Sequence, residues 1–423
     1  MLGQTLAGRY RVEAVQASGA FGTVFRSSQF FCGQFVRPVA VKVSRSSGLT
    51  EQTALQTFGD ALVLARVLAS GDHEGRRHLV QIYDMGLLPE HESRAFLAME
   101  YVDGLPLLSH LHAAGRFSVA TGLRLVKQIC RALALVHEQG AIHRDLSADN
   151  ILVDRRGVVR VVDFGLAAYA DKTLGFVPGS HGKFNYMAPE TLQGRSTPAS
   201  DVYGLGLLMY ELFTGGGPHL TAPWSTDESE KRRDENYRLK TGLRFAPPST
   251  AQNEIRNDYR WLDGLILRCL ESDSSRRFAD AGRLLAALEA EGNSQDDSPP
   301  AQQLPPAPAD PHEALFREAR RLLASRSYLQ VIDRLDVHRP AEWAVVDLRG
   351  ARTLRVLAQA YIGLNDLRSA RECLEQVRTA QRERPVLAKA EFAAALSDLC
   401  KCYRGLGLAQ EAKECHEEVQ RLP

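Results

Sequence analysis

Three polar clusters follow one another between His143 and Glu190, each behind an apolar run. They read His143-Arg144-Asp145-Leu146-Ser147-Ala148-Asp149-Asn150, then Val161-Val162-Asp163-Phe164-Gly165, then Tyr186-Met187-Ala188-Pro189-Glu190. This order suggests a site assembled from loops at strand ends. Asp145 can accept a hydroxyl proton, and Asn150 and Asp163 offer hard oxygen ligands to magnesium. Gly165 leaves the backbone free to swing after them. Such equipment serves phosphoryl transfer, in which positioning and charge neutralisation do most of the catalysis.

These side chains need a frame and a cation for the phosphates. Tyr10 to Val15 alternates like a strand, and Ala17 to Phe25 follows as a glycine-bearing hairpin able to close over phosphates. Lys42 lies in the apolar run Pro38 to Val43, where an unpaired ammonium is costly, so it requires partners. Helical periodicity follows through Phe58, Ala61, Leu62, Leu64, Ala65 and Leu68. Leu79 to Asp84 and Ala95 to Val102 read as two more strands, and Asp103-Gly104 marks the crossing into a mostly helical region. There, Leu123, Val126, Ile129, Cys130, Leu133 and Val136 form one face of a helix that delivers the chain to His143. Asp201 to Leu212 reads as an apolar helix that starts with an acid, and the charged run Asp227 to Lys240 most simply as a solvated loop, with substrate docking as the other reading.

The ordered set at these spacings resembles the eukaryotic-type protein kinase family, as found in bacterial serine/threonine kinases. The resemblance implies an α+β bilobal fold, with a small β-rich lobe at residues 1–102 and a helical lobe at 103–292. It implies ATP and magnesium as cofactors, with Gly19, Gly22, Val24, Ala40, Lys42, Glu100, Val102, Asn150 and Asp163 around the nucleotide. Asn150 and Asp163 would hold the metal, Lys42 the phosphates, and Asp145 would orient and deprotonate the acceptor hydroxyl. Asp60 would orient Lys42. The family has glutamate there, and the lost methylene shortens the reach by roughly 1.5 Å, so the helix sits closer or the pair is looser. Glu51 comes too soon after Lys42 to lie midway along that helix. Met99 would gate the adenine pocket or serve as plain core, Asp201 would brace the catalytic loop or cap its helix, and Arg277 would pair with Glu190.

Four departures accompany the likeness. Ala17 replaces the first glycine of the phosphate loop, and Asp60 replaces glutamate. Ser147 stands where serine/threonine kinases have lysine, and Lys183 where they have threonine, so charge and hydroxyl have changed places. Lys183 is thus expected to reach the γ-phosphate while Ser147 supplies the hydrogen bond. Arg144 before the base implies a phosphate on the following loop, with Ser180, then Thr173, as acceptor. The catalytic loop lacks the arginine pattern of tyrosine kinases, which favours serine or threonine in a protein substrate. A pseudokinase scaffold and a small-molecule phosphotransferase remain open; retention of Lys42, Asp145, Asn150 and Asp163 argues against the first, and the intact Tyr186 to Glu190 against the second.

A chain of 423 residues sets a prior of two to three domains. With 52 basic and 51 acidic residues the net charge is +1, which argues for neither nucleic acid nor an anionic membrane as partner. Seven scattered cysteines fit a reduced, cytoplasmic protein, and Cys400 and Cys402 would point to different helix faces. The sequence contains neither a signal-peptide pattern nor an apolar run of about 20 residues, so no membrane span is expected. Residues 293–311 turn to Ser, Gln, Asp and Pro and read as a linker. Residues 312–423 are helical and weakly repetitive: Leu357, Tyr361, Ala370, Leu374 and Val377 match Leu399, Tyr403, Ala412, His416 and Val419 at an offset of 42. An earlier copy would centre on Tyr328, Val331 and Leu335. The pattern resembles tetratricopeptide repeats, which implies a protein or peptide partner in their groove; a small helical bundle is the other reading. His416 would be a helix-packing residue.

Overall fold

Strong β-formers placed in alternation build the first element. In a computed structural model that describes residues 1–19, 22–69, 74–163, 168–169, 185–217, 219, 230–292, 311–324, 328–335, 346–383 and 385–421, six strands form one sheet. They are β1 (Thr5–Leu6), β2 (Tyr10–Gly19), β3 (Gly22–Phe31), β4 (Gln34–Ser44), β5 (Ile82–Leu88) and β6 (Arg94–Glu100), in the order β1-β2-β3-β4-β6-β5. The chain divides into two units, Met1–Ala14 with Val24–Ala309, and Val15–Thr23 with Asp310–Pro423.

In β4, Val39, Val41 and Val43 are fully buried, and Ala40 and Lys42 on the other face are nearly so. Both faces of this strand are therefore covered, as its continuous apolar run requires. Lys42 stands opposite Leu97 of β6, and Ala40 opposite Met99. The strand expected from Leu79 begins only at Ile82. Leu79 and Val80 turn elsewhere: Leu79 bridges Val161 in parallel, and the Val80 N–H donates to Val161 O at 3.1 Å. Helix α1 (Glu51–Ala69) buries Phe58, Ala61, Leu64, Val67 and Leu68, and leaves helical geometry at Phe58, directly before Gly59, a residue of poor helix propensity.

The helical lobe is built on α2 (Leu107–Ala114), α3 (Val119–Glu138), α4 (Pro198–Thr214), α5 (Glu230–Gly242), α6 (Asn253–Asp258), α7 (Trp261–Cys269) and α8 (Ala281–Gly292). Ser118 caps α3 by accepting from Thr121 N, and Thr197 with Ser200 forms a reciprocal cap on α4, where Pro198 takes the first turn. Residues of α4 from Ala199 to Phe213 are buried throughout, so this helix is the centre of the lobe. Short strands carry the loops: β7 (Gly104–Pro106), β9 (Ile151–Asp154) and β10 (Val159–Val161) in the order β10-β9-β7, while β8 (Ala141–Ile142) pairs with β11 (Ala168–Tyr169). The fold is α+β and bilobal.

The charged run that sequence suggested was a loop is largely helix: α5 covers Glu230–Gly242. Its hydrophobic periodicity is weak because two polar side chains, Asn236 and Lys240, occupy its inner face, 0% and 2% exposed.

His78 supplies a pH-dependent contribution to this lobe. It is buried, and its Nδ1 hydrogen bonds Val159 O at 3.2 Å. Burial pushes the imidazole below its ordinary value of 6.5, and the nearby Arg160, Arg131 and Arg77 act the same way against the opposing bond to Val159. The folded value lies below the unfolded one, so the stability contributed by the neutral ring is complete above pH 6.5 and is lost as pH falls below it. His78→Gln is expected to flatten the pH dependence of the unfolding midpoint between roughly pH 5 and 7 in thermal melts.

The second unit holds α9 (Pro311–Ala324), α10 (Tyr328–Leu335), α11 (Leu348–Gly363), α12 (Leu367–Glu383), α13 (Lys389–Gly405) and α14 (Ala409–Gln420). Two hairpins end alike. Asp366 N donates to Tyr361 O and Leu408 N to Tyr403 O, both at 2.9 Å, with Asn365 and Gly407 in the left-handed region at φ 61° and 76°. Close approach also repeats: a Cβ on Gly363 would meet the Tyr328 ring at 2.4 Å, and one on Gly405 would meet Leu367 at 2.3 Å. Buried Leu357, Ala370 and Cys373 correspond to buried Leu399, Ala412 and Cys415. One expected match fails: His416 is exposed, whereas Leu374 is buried, since α12 packs between α11 and α13 while α14 packs chiefly on α13. Cys400 and Cys402 are both buried, and all seven cysteines are free.

Candidate active site

A single carboxylate on α4 shapes the loop after β8. Asp201 Oδ2 accepts from His143 N at 2.8 Å, and its Oδ1 from Arg144 N at 2.9 Å. These bonds hold Arg144 at φ 66°, a conformation that costs a non-glycine residue about 1 kcal/mol or more. A third bond comes from His137 of α3, whose Nε2 lies 2.8 Å from Asp201 Oδ2. The other ring nitrogen, Nδ1, accepts the Ala281 N–H at 3.1 Å, so the proton of a neutral ring sits on Nε2 and points at Asp201. Burial alone would raise the Asp201 pKa, but the hydrogen bonds from His137 and from the His143 N–H hold it below the usual carboxylate value. Asp201 is thus a brace, as the resemblance implied, and its helix is capped by Thr197 instead.

Beyond the braced backbone comes Asp145, 4% exposed. Asn150 Nδ2 donates to Asp145 O at 2.8 Å and to Asp145 Oδ2 at 2.9 Å. With its amide nitrogen engaged there, Asn150 has its Oδ1 as the atom for a cation. Ser147 precedes the one-turn 3-10 helix Ala148–Asn150 and is buried.

The strand pair β9–β10 then returns the chain: Val162 N, one residue before Asp163, donates to Asn150 O at 2.9 Å. Asp163 adopts φ 59°, and its Oδ1 forms an ion pair with Lys42 Nζ from β4. Residues 121 positions apart in sequence thereby meet, Lys42 with Asp163, while Val162 ties the same turn to Asn150 and Asn150 to Asp145.

Sequence reasoning gave Lys42 the partner Asp60. The described partner of Lys42 is Asp163; Asp60 lies on α1 just past the break at Phe58, and its side chain is outside the described residues. Also outside them are Phe164, Gly165, Thr173, Ser180 and Lys183. Gly19 ends β2 and Gly22 opens β3. Val24 lies on β3, Ala40 on β4 and Val102 just after β6, the latter two buried. Glu100 carries a contact that sequence did not suggest: its carboxylate receives Arg160 Nε at 3.1 and 3.3 Å, tying the end of β6 to the strand that leads to Asp163.

The third cluster is locked by Glu190. Arg277 Nη1 and Nη2 donate to its two oxygens at 2.7 and 2.9 Å, and the remaining three N–H groups of Arg277 reach Glu271 O, Ala199 O and Ser272 O. All five donors of this fully buried side chain are satisfied. Ser200 Oγ adds a bond to Glu190 Oε1 at 2.7 Å. The pair expected between Arg277 and Glu190 is present.

A two-lobed fold whose strand-end loops bring a lysine, two aspartates and an asparagine together defines the protein kinase class. The chain belongs to it: the protein kinase domain family matches residues 10–287. Serine/threonine-protein kinase PknA of Mycobacterium tuberculosis (strain H37Rv) is 37% identical over 224 residues, covering 51% of this chain and 49% of that protein. PrkC of Bacillus subtilis is 31% identical over 220 residues, 52% of this chain and 32% of its own length. The kinase pkn3 of Myxococcus xanthus is 30% identical over 302 residues, 68% of this chain and 51% of its own. The chain spans about a third to a half of the length of these relatives.

Proposed function

We propose that the chain is a serine/threonine protein kinase that transfers the γ-phosphate of magnesium-ATP to protein hydroxyls. The observation that carries this reading is the set of contacts that gathers the four residues next to a loop braced by Asp201: Lys42 pairs with Asp163, Val162 beside it donates to Asn150 O, and Asn150 donates to Asp145. A pseudokinase scaffold has no need of all four. Asn150 Oδ1 and the Asp163 carboxylate are hard oxygen donors that suit magnesium, which takes most of its remaining ligands from phosphates and water. Bound magnesium would neutralise charge developing on the phosphates. Lys42 orients the phosphates, and Asp145 accepts the hydroxyl proton at its carboxylate. The roles of Gly19, Gly22, Val24, Ala40, Glu100 and Val102 at the nucleotide, of Asp60 beside Lys42, and of Ser147 with Lys183 rest on the family resemblance, as do Ser180 and Thr173 as activating phosphoacceptors.

The layout we propose is a kinase domain at 1–292, a linker at 293–311 and tetratricopeptide-like repeats at 312–423 that recruit a protein or peptide partner. The matching hairpin ends at Tyr361 and Tyr403 support the repeats. Among the described residues no helix is long and apolar enough to cross a membrane; a cytoplasmic location is part of the proposal and rests on the family resemblance and the scattered cysteines. The test is a transfer assay with γ-labelled ATP and magnesium, in which the protein itself, a generic basic protein and small alcohols compete as acceptors. Label is expected on protein serine or threonine. Label confined to alcohols, or absent, would refute the reading.

A further inference from the structure

Lys240 is among the largest fully buried side chains, at 2% exposure, although its run of sequence is highly charged. It lies near the end of α5, and its Nζ donates to Asn185 O at 2.5 Å. The same Nζ sits 5.5 Å from the centre of the Tyr203 ring, and the Arg277 guanidinium lies 4.8 Å from that centre. Tyr203 is 1% exposed on α4. Two basic side chains thus share one aromatic support, where a ring face favours cations. Their donors go to opposite ends of a single segment: Lys240 to Asn185, Arg277 to Glu190.

Between those ends, Tyr186 OH bonds the Glu211 carboxylate, and Met187 packs with Leu192 against Tyr237, Leu239 and Leu243. Placing an ammonium in such surroundings is costly unless its hydrogen bonds are made. Burial pushes the Lys240 amine well below its ordinary range. An N–H remains in either protonation state, so the bond to Asn185 O survives loss of the charge.

We propose that Lys240 is a positioning residue for the protein acceptor, pinning the Asn185 carbonyl so that Asn185 to Glu190 presents one fixed shelf beside the catalytic loop. This deepens the kinase reading and rests on it for the identity of the bound peptide. Arg277 holds the Glu190 end and Glu211 holds the Tyr186 hydroxyl; Lys240 is the donor that fixes the Asn185 carbonyl itself.

Lys240→Met keeps length and apolar volume but removes the donor. Its expected effect is a rise of about tenfold in KM for a generic basic protein, the loss of one strong hydrogen bond. By contrast kcat and KM for ATP should move by less than about twofold, the signature of lost acceptor binding. Lys240→Arg, which restores a donor, should recover most of the acceptor KM. Amide exchange should quicken over residues 185–194 while α4 stays protected. An unchanged acceptor KM, or unchanged exchange at 185–194, overturns the proposal. So does a Lys240→Met chain that fails to fold or loses kcat and both KM values together, since Lys240 would then be a general core residue. If the wild-type chain labels no protein, the kinase reading falls, and the exchange comparison still decides the anchor.

Discussion

Asp145→Asn is expected to lower phosphoryl transfer to protein by about 10²–10⁴-fold, the usual contribution of a general base. The carboxamide has the same shape, and its oxygen can still accept the Asn150 Nδ2–H now received by Asp145 Oδ2 at 2.9 Å. The bond from Asn150 Nδ2 to the Asp145 backbone carbonyl is untouched. Fold and ATP binding should therefore persist, and the loss should fall on kcat. Initial rates under saturating ATP, with thermal melts as the control, test this. A variant that keeps its rate within about threefold of wild type would remove Asp145 from the chemistry.

Arg277→Met is expected to destabilise the kinase lobe by about 3–5 kcal/mol, the range seen when one partner of a buried ion pair is removed. Glu190, 14% exposed, would be left with only Ser200 among its described side-chain donors, and three backbone carbonyls would lose theirs. At about 2–4 °C per kcal/mol for a domain of this size, the melting temperature should drop on the order of 10 °C. The double variant Arg277→Met with Glu190→Leu should recover part of that loss, because no buried charge is then left unpaired. A drop under about 2 °C for the single variant would show that the pair contributes little.

The family and the loop chemistry were legible because both are local. His143 to Asn150 and Val161 to Gly165 are short segments in which spacing itself encodes a turn or a strand end. The helical α3 was legible from its one-sided periodicity, and the likeness of the α11–α12 and α13–α14 turns from the recurrence of Tyr361 at Tyr403. The helix α5 was not. Its inner positions are Asn236 and Lys240, and periodicity arguments count buried positions only when they are apolar. The same limit hid the bond from Arg160 to Glu100, two charged residues that look solvated until the strands bring them together.

By itself, therefore, the sequence determined which residue types stand ready for phosphoryl transfer, in what order, and on which side of a turn. Backbone propensity and side-chain chemistry are properties of a few neighbouring residues, and the chain carries them in plain view. Pairing was decided only by the tertiary structure: Lys42 with Asp163, His137 with Asp201, and Lys240 with the carbonyl of Asn185. Each of those contacts joins residues 55 to 121 positions apart. Whether a charge far along the chain finds water or a partner depends on which surfaces the core buries, and burial is settled by packing of the whole domain.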